Sequence, residues 1–595
     1  MANLFIAELQ RFRVWALLAF IVHLVVLGFF ARLVDPLQQP ALVYQLTAAV
    51  YALLGLLLGL YQMGGYRRPS TWLNLLHRPV AHPHIALALS AAAIVLLASA
   101  IVLPLAIMLI AQDGLTARVV DWRHWGLPVA AVSVAIASYL AAAFAMLAPR
   151  RIALFGLVLP ALILASTASG IWALLLQFCV IIWLAVLLLA VFKPDLTAPP
   201  RPLLVEVMAA LPVQMGVWML LVVLSLLYQT GWMVLGSHPL NSTPPAGGMV
   251  EASRSDGKAL LLAGLAVSSH PQAPLWREQV AISEVYSSVV QIEEFAQRHQ
   301  LTNPMPMEFD DKQRRRWIFS HDDMRFQGIS LSDGKSAGVL GLGAANNAFA
   351  LPPLPLSTRA LATAQGIFAF SEDSQQIHPR VLLPAGETLA SLPAAAGESM
   401  TLLSDRALYF FDARKLKSGD QLIEATQRLP LPGAIAGLAG VELIELLDGH
   451  LLSLLYGRGS IDGPGLAYQQ LLWVDGEGRI ETVARRELAP DFPMALRHYD
   501  WWTSPLLHTA KQLLRDLFAQ ASPLAARDLA PRPPAMQAWA GTLLLLSLLV
   551  AIWLSARQGL SGPRRWFWII NCGAVGLPAL IALRLMHVDR VTGGA

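Results

Sequence analysis

Residues 85–110 read IALALSAAAIVLLASAIVLPLAIMLI, a run of membrane length that contains no charged side chain. An α-helix needs about 20 apolar residues to cross the hydrocarbon of a bilayer. Lipid offers no hydrogen-bond partners, so a spanning segment must pair its backbone groups within itself, as a helix does. This stretch is therefore predicted to be a transmembrane helix, and the same pattern recurs along the chain.

Nine such segments are predicted, seven before the polar stretch of residues 236–534 and two after it. They are Val14–Arg32, Leu42–Gln62, Ile85–Ile110, Gly126–Leu147, Ile152–Ser169, Ile171–Phe192, Gly216–Leu235, Ala538–Ser555 and Trp566–Leu585. The composition agrees, because 56% of the 595 residues are hydrophobic, only 14% are charged and the mean hydropathy is +0.54. A soluble protein of this size carries more charge. We therefore predict an α-helical polytopic membrane protein with a large domain on one face of the bilayer.

Lysine and arginine near the spans predict the orientation, because cytoplasmic loops of membrane proteins are enriched in them. With Met1 in the cytoplasm, the cytoplasmic side holds Arg11, Arg13, Arg67, Arg68, Arg78, Arg150, Arg151, Lys193, Arg201, Arg557, Arg564 and Arg565. The other side holds Arg118, Arg123 and Arg590, with Arg32 and Arg584 near the outer ends of spans. Nine spans from this start place residues 236–534 and the C-terminus outside.

The polar stretch carries 26 Lys and Arg and 32 Asp and Glu, so its net charge of −6 leaves +10 for the rest of a chain whose total is +4. Both cysteines, Cys179 and Cys572, lie in predicted spans, which excludes disulfides and cysteine-bound zinc from the polar stretch. An extracytoplasmic domain without disulfides is typical of bacteria. We predict the bacterial inner membrane as the location, with the polar stretch in the periplasm.

Within the polar stretch, apolar residues at helical spacing predict one amphipathic helix over Gln272–His299. Beyond Trp317 the pattern becomes short strands bordered by polar turns. Four units show it: Ile367–Phe370, Leu408–Phe411, Asp448–Leu455 and Leu471–Val474. The units resemble blades of a β-propeller, and a β-sandwich is the alternative. A second amphipathic helix is predicted over Leu506–Ala519, either on the outer leaflet or packed on the β-rich domain.

The predicted spans offer little that could couple transport to an ion gradient. Their interiors contain no Asp, Glu or Lys, and His23, the only side chain there that titrates near neutral pH, is expected to be a hydrogen-bonded structural residue. An ATPase motif is also missing. The segment Gly328–Ser336 has five residues between its glycines, where a phosphate loop has four. We expect no cofactor on this chain and a separate protein that hydrolyses ATP.

The first cytoplasmic loop, YRRPSTWLNLLHRPVAHPH over Tyr66–His84, is basic and bounded by prolines. Trp72, Leu75 and Leu76 can form the apolar side of a short helix that lies along the membrane face. This loop resembles the coupling region of ABC-2 type transporter permeases, in which a Leu-Leu-x-x-Pro-Val stretch follows the second span. The N-terminal segment Asn3–Arg13 is similar to the amphipathic connecting helix of that family. The first six spans match its six-helix core, so the resemblance covers residues 1–195.

The resemblance implies that the loop docks onto an ATP-binding cassette subunit, present in two copies, which holds ATP and magnesium. It also implies a second permease copy or a related permease. The implied coupling residues are Arg67, Arg68, Trp72, Leu75, Leu76, Arg78 and Pro79. The candidate pathway residues are Ser133, Ser138, Ser166 and Thr167, although small residues in helices also serve close packing. The expected function is ATP-driven movement of a substrate across or out of the inner membrane, with export as the expected direction.

The predicted organisation has four parts. Residues 1–195 form the permease core with the coupling loop at 63–84, and residues 196–236 hold a cytoplasmic linker and the seventh span. Residues 237–535 form the periplasmic domain, and residues 536–595 hold the last two spans.

Two other classes of function stay open. One is a membrane-anchored periplasmic module that binds or assembles an envelope protein without transport. The other is a membrane enzyme at the outer face, for which Glu308–Asp311 and His321–Asp323 are candidate metal ligands. Because balancing charges such as Arg314, Arg315 and Arg316 lie beside these acidic clusters, solvated loops are the expected interpretation.

Overall fold

The computed structural model describes residues 2–77, 79–166, 168–193, 202–241, 244–302, 307–310, 312–357, 359–417, 421–458, 467–489, 491, 493–518, 522, 524 and 532–587. Its N-terminal helices are α1 (Ala2–Leu33), α2 (Ala41–Tyr66), α3 (Pro69–Leu76), α4 (His82–Leu115), α5 (Trp122–Trp125), α6 (Leu127–Leu147), α7 (Val158–Leu164), α8 (Gly170–Val191) and α9 (Leu203–Val234). A 3₁₀ turn over Ala153–Leu157 precedes α7.

Seven helical runs in the described residues are long and apolar enough to cross a membrane. They are α1, α2, α4, the α5–α6 run, α8, α9 and a helix over Pro534–Arg557. Seven of the nine predicted spans correspond to these runs. The helix α1 is continuous from Ala2, so the predicted connecting helix over Asn3–Arg13 is the start of α1 and not a separate element.

The predicted fifth span, Ile152–Ser169, is not one membrane-length helix. The 3₁₀ turn and α7 end at Leu164, and Gly170 has a φ of +57°, a left-handed conformation that an unbroken helix cannot contain. This segment nevertheless runs between the end of α6 and the start of α8. The sequence pattern identified its apolar character and left open whether this span is complete or re-entrant.

A region of short helices and sheets follows α9, here called the β region. It begins with α10 (Met249–Arg254), α11 (Gly257–Ala266), α12 (Ala273–Ile282) and strand β1 (Tyr286–Ser288). The predicted helix over Gln272–His299 is therefore wrong beyond Ile282. Tyr286–Ser288 pairs with residues 441–443 of a later strand, and this long-range backbone pairing overrides the helical spacing of the apolar residues.

Four antiparallel sheets follow, three of which are meanders of consecutive strands, while the fourth joins β1 to a later meander. The first contains β2 (Met307–Asp310), β3 (Arg315–Ser320), β4 (Arg325–Ser330) and β5 (Ser336–Leu340). The second contains β6 (Leu354–Pro355), β7 (Ala360–Thr363), β8 (Gly366–Ser371) and β9 (Gln376–Leu382). The third contains β10 (Ala394–Ala396), β11 (Ser399–Leu403), β12 (Ala407–Asp412) and β13 (Gln427–Pro430), with α13 (Ala413–Lys417) inserted. The fourth adds β14 (Leu438–Leu446), β15 (Gly449–Tyr456), β16 (Tyr468–Asp475) and β17 (Ile480–Glu487) to β1.

The sheets pack on one another in chain order. Phe319 of the first meets Phe368 of the second in one apolar cluster, and Phe410 of the third meets Leu452 of the fourth in another. The other face of the fourth sheet is covered by α11 and α12, where Trp276 is fully buried. The described residues form a β-rich stack with no closed barrel or propeller. All four predicted strand–turn units are strands.

The chain leaves the β region through α14 (Met494–Arg497), α15 (Tyr499–Trp502) and α16 (Pro505–Phe518). It then forms α17 (Pro534–Arg557), α18 (Gly562–Val575) and α19 (Leu577–Met586). The helix α16 matches the predicted amphipathic helix closely.

The predicted ninth span, Trp566–Leu585, is wrong because α18 and α19 form a hairpin that turns at Gly576, where φ is +84°. Arg564 near the start of α18 and His587 just after α19 both contact Glu206 of α9, at 2.6 and 2.7 Å. The two ends of the segment therefore meet at one place. His587 therefore lies at the same end of the helical bundle as Arg564, whereas a ninth span would have placed these residues at opposite ends.

The closest helix contact joins α2 to α6. A Cβ at Gly55 would lie 1.9 Å from the carbonyl oxygen of Ala135, and a Cβ at Gly59 would lie 2.6 Å from that of Tyr139. Lipid supplies no hydrophobic force between helices, so such close backbone approach is what packing in a membrane requires. The two helices run parallel, with their C-terminal ends at the same end of the bundle.

Replacing Gly55 by alanine is expected to destabilise the bundle, because α2 or α6 must move to admit the methyl group. We expect a loss of about 1 to 3 kcal/mol in unfolding free energy. Gly28→Ala in α1 is the matched control, since no atom lies within 4 Å of its Cβ position. Thermal unfolding in detergent, followed by tryptophan fluorescence, measures both. Equal midpoints for the two variants would show that the α2–α6 contact is not tight.

Candidate functional site

The loop between α2 and α4 contains the predicted coupling segment. Its helix α3 starts with Pro69 at the first helical position, where the missing N–H costs nothing and the fixed φ favours helix. Arg68 before it has an extended conformation, so the chain turns sharply as it leaves α2. The predicted short helix is present at this position.

Two of the predicted coupling residues point into the protein. Trp72 and Leu75 are 5% and 2% exposed, and the rings of Trp72 and Phe192 lie 4.9 Å apart. Phe192 directly follows α8, so this contact fixes α3 to the end of α8. Trp72 and Leu75 therefore position the helix and are not free to contact a partner. The side chain of Leu76 and all of Arg78 lie outside the described residues.

The outward side of the loop is exposed and basic. We call Arg67, Arg68, Leu73, Asn74 and Pro79 the α3 surface. Leu73 is 55% exposed, and Arg67 and Arg68 just before α3 are exposed as well. An isolated exposed leucine needs no explanation, and the two exposed arginines make this side of the loop basic.

A buried carboxylate lies behind this loop. Glu8 of α1 is 3% exposed and accepts hydrogen bonds from Gln62 Nε2, at 2.8 Å, and from the hydroxyl of Tyr66. The amide oxygen of Gln62 accepts in turn from Tyr139 of α6, at 2.7 Å. This network joins three helices at one end of the bundle. The pattern had assigned Glu8 to a separate helix, although its spacing of four from Leu4 and Phe12 places it on their buried face.

The structure describes three of the four candidate pathway residues. Ser133 and Ser138 are buried within the helix packing of α6. Ser166, beyond α7, is partly exposed, and its hydroxyl accepts from the backbone N–H of Ala168 at 3.1 Å. Thr167 lies outside the described residues. His23 is hydrogen-bonded to Ala100 and Tyr51, as expected for a structural histidine.

At the opposite end of the bundle, α5 meets the β region in a buried polar contact, here called the junction. Asp121, just before α5, is 1% exposed and accepts from the hydroxyl of Ser320 at 2.7 Å and from the N–H of His321 at 3.1 Å. Arg123 lies 3.2 Å from the same carboxylate. Buried charges need such partners, so the contact holds these elements together.

Further contacts extend the junction on both sides. Arg123 donates to the carbonyl oxygens of Gln300 and Thr302, at 2.6 and 3.0 Å. The N–H of Trp122 donates to Asp322 at 2.7 Å. His124 accepts from the N–H of Asp121 through Nδ1 and bonds the carbonyl of Leu37 through Nε2, which is the pattern of a neutral imidazole. Sequence reasoning missed this site, because its residues are about 200 positions apart.

Burial lowers the pKa of His321 to about 2, and the nearby positive charge of Arg123 adds to the effect. Its Nδ1 accepts the N–H of His299 at 3.2 Å. Protonation would remove this acceptor and place a charge in a dry site. His321 is thus neutral in the folded protein at neutral pH.

The acidic clusters considered for metal binding have other roles. Asp322 and His321 belong to the junction, and Asp310 accepts the N–H of Gln313 in a turn at 2.9 Å. No group of three or more potential metal ligands occurs in the described residues. Gly328–Ser336 runs from β4 through a turn into β5. A phosphate loop instead connects a strand to a helix.

A third buried carboxylate, Glu206 of α9, anchors the C-terminal hairpin. Besides Arg564 and His587, it accepts from the indole N–H of Trp568 at 2.7 Å.

No family model matches the chain, and neither the curated proteins nor the solved structures contain a significant match.

Removing the carboxylate of Asp121 is expected to loosen the junction. Asp121→Ala leaves Arg123 and the two donors of the β region buried without their acceptor, at a cost of about 3 to 5 kcal/mol. Hydrogen–deuterium exchange of residues 299–302 and 320–323 in the full chain measures the effect. Asp113→Ala, at an exposed position in α4, is the control. Unchanged protection in Asp121→Ala would show that the carboxylate does not hold the junction.

Acid is expected to weaken the same contact. The folded pKa of His321 lies below the ordinary histidine value of about 6.5, so the unfolded or opened state binds more protons below that pH. The contribution of neutral His321 to the stability of the junction is therefore complete above about pH 6.5 and decreases as the pH falls below that value. Exchange at pH 7.5 and 5.0, corrected for intrinsic rates, measures this. His321→Gln is expected to reduce the pH dependence, whereas His378→Gln in β9 leaves it unchanged.

Proposed function

We propose that the chain is the membrane-spanning permease subunit of an ATP-driven transporter of the ABC-2 type. A separate cassette subunit docks on the α3 surface and supplies the ATP and magnesium. The observation that carries the proposal is the short helix α3 between the second and third membrane-length helices. It is anchored from within by Trp72 and directly follows two exposed arginines, Arg67 and Arg68.

The contacts around α3 suit the transmission of force. Trp72 connects α3 to the end of α8, and the Glu8–Gln62–Tyr139 network connects α1, α2 and α6 at the same end. A push on α3 would therefore move several helices together. The helix α4 begins six residues after α3 and ends six residues before Asp121, so it links the α3 surface directly to the junction.

In this proposal the protein lies in a bacterial inner membrane with the α3 surface in the cytoplasm and the β region in the periplasm. Support comes from Arg67 and Arg68 just before α3 and from Arg150 and Arg151 in the α6–α7 turn, which lie at the end of the bundle opposite the junction. A functional transporter contains two cassette subunits and a second permease. The direction proposed is export, with the β region receiving or passing on the substrate.

A second candidate is a membrane-anchored module that binds or assembles an envelope protein in the periplasm. The junction favours it, because a β region fixed to the bundle by buried contacts is a stable platform that needs no ATPase. The two candidates differ in whether ATP hydrolysis accompanies the purified complex.

Reversing the charge of the α3 surface is expected to release the cassette. The variant Arg67→Glu, Arg68→Glu, Leu73→Asp should purify as a folded chain but lose at least about tenfold of the copurifying ATPase activity, since interface charge reversal costs several kcal/mol. The complex is isolated from native membranes, and a phosphate-loop ATPase is identified by mass spectrometry. Lys335→Glu, in an exposed turn of the β region, is the control.

Trp72→Ala provides the matched test of the inner side of α3. It should lower the thermal stability of the chain itself, because Trp72 is buried against Phe192. If the triple variant retains its full ATPase, or if no phosphate-loop ATPase accompanies the wild-type chain, the permease proposal fails and the platform function is favoured.

A further inference from the structure

The helix α16 has one side attached to the bundle. Leu507 packs against the apolar core of the membrane-length helices, and His508 Nδ1 lies 3.1 Å from a carboxylate oxygen of Asp500. The ammonium group of Lys511 lies 5.8 Å from the ring centre of Trp218 in α9. Among the described residues, the elements that α16 mainly adjoins are α15 and α18, not strands of the β region.

A second side of α16 carries leucines without cover. Leu506, Leu513 and Leu517, here the leucine face, are 48%, 70% and 63% exposed. Positions seven and eleven residues apart return to within about 20° on a helix, so these side chains point the same way. The polar side chains of α16 lie elsewhere around the helix. This is the arrangement of a helix that rests in a membrane interface.

The contacts of α15 define the depth of α16 along the bundle. The indole N–H of Trp218 donates to the carbonyl of Asp500 at 3.0 Å, and the hydroxyl of Tyr499 donates to that of Val222 at 3.3 Å. Trp218 and Val222 lie about 22 and 28 Å from the start of α9 at 1.5 Å per residue. Trp502 of α15 contacts Trp539, five residues after the start of α17 at Pro534, so α15 lies near the end of the bundle at which α17 begins.

The surfaces beside α16 are also apolar and exposed. Leu220 and Leu224 of α9 point outward, as do Trp539 and Leu545 of α17. Trp502 contacts Trp539 edge to face, with ring centres 6.2 Å apart. Tryptophans prefer the boundary between acyl chains and headgroups. The leucine face therefore continues a surface that membrane-length helices present to lipid.

We propose that the leucine face of α16 lies in the acyl chains of the bilayer leaflet nearest the β region. The helix then holds the end of the β region at the membrane surface, because α14 and α15 join it to β17 on one side and the chain continues to α17 on the other. This inference does not depend on an ATPase partner.

The test uses the full chain with Cys179 and Cys572 replaced by alanine and one new cysteine, Leu513→Cys, labelled with an environment-sensitive fluorophore. The protein is reconstituted into vesicles of phosphatidylethanolamine and phosphatidylglycerol. Lipids that carry a nitroxide near the headgroup end of the acyl chain quench the fluorescence of a label that lies in the bilayer. Iodide quenches the fluorescence of a label that lies in water. Lys335→Cys, in the exposed turn before β5, is the aqueous control.

We expect the label at 513 to be quenched by the nitroxide lipid at least about threefold more than the label at 335, and to be shielded from iodide. Equal quenching by iodide at both positions would place the leucine face in water and overturn the proposal. Shielding from both quenchers would mean that protein covers this face, which also overturns it. Near-native tryptophan fluorescence of each variant confirms folding.

Discussion

The structure depends on the rule that a buried charge must have partners, and Asp121 shows it most directly. This carboxylate accepts from Ser320 and His321, and it lies beside Arg123. In the absence of a hydrophobic force between helices in lipid, polar contacts of this kind hold separate elements together. Glu8 and Glu206 follow the same rule, the first joining α1 to α2 and the second joining α9 to the C-terminal hairpin.

Two of these carboxylates lie at opposite ends of the helical bundle. Glu8 lies behind the α3 surface, whereas Asp121 lies where the bundle meets the β region. Between them runs α4, a single helix of 34 residues, or about 50 Å. In the permease proposal, movement at α3 reaches the β region along this helix. The packing of α2 on α6, at Gly55 and Gly59, keeps the helices close enough to move as one body.

Much of this architecture could be predicted from local pattern. Seven of the predicted spans correspond to membrane-length helices, and the strand–turn units at Ile367, Leu408, Asp448 and Leu471 are strands of the second, third and fourth sheets. The short helix α3 was also expected. The prediction was wrong where the spacing of the apolar residues is compatible with both a helix and a strand. Apolar residues over Gln272–His299 suit a helix, but Tyr286–Ser288 gains more from pairing with β14.

The sequence by itself determined which segments are long and apolar enough to cross a membrane, because the absence of charge over about 20 residues is a local property of the sequence. It also predicted a short helix in the proline-bounded loop that contains α3. Only the tertiary structure decided that Trp72 and Leu75 face inward, that Trp566–Leu585 turns back at Gly576, and that Asp121 meets Ser320. Each of these depends on which distant residue supplies a partner for a ring, a backbone turn or a buried charge. The local sequence does not show which distant residue becomes the partner.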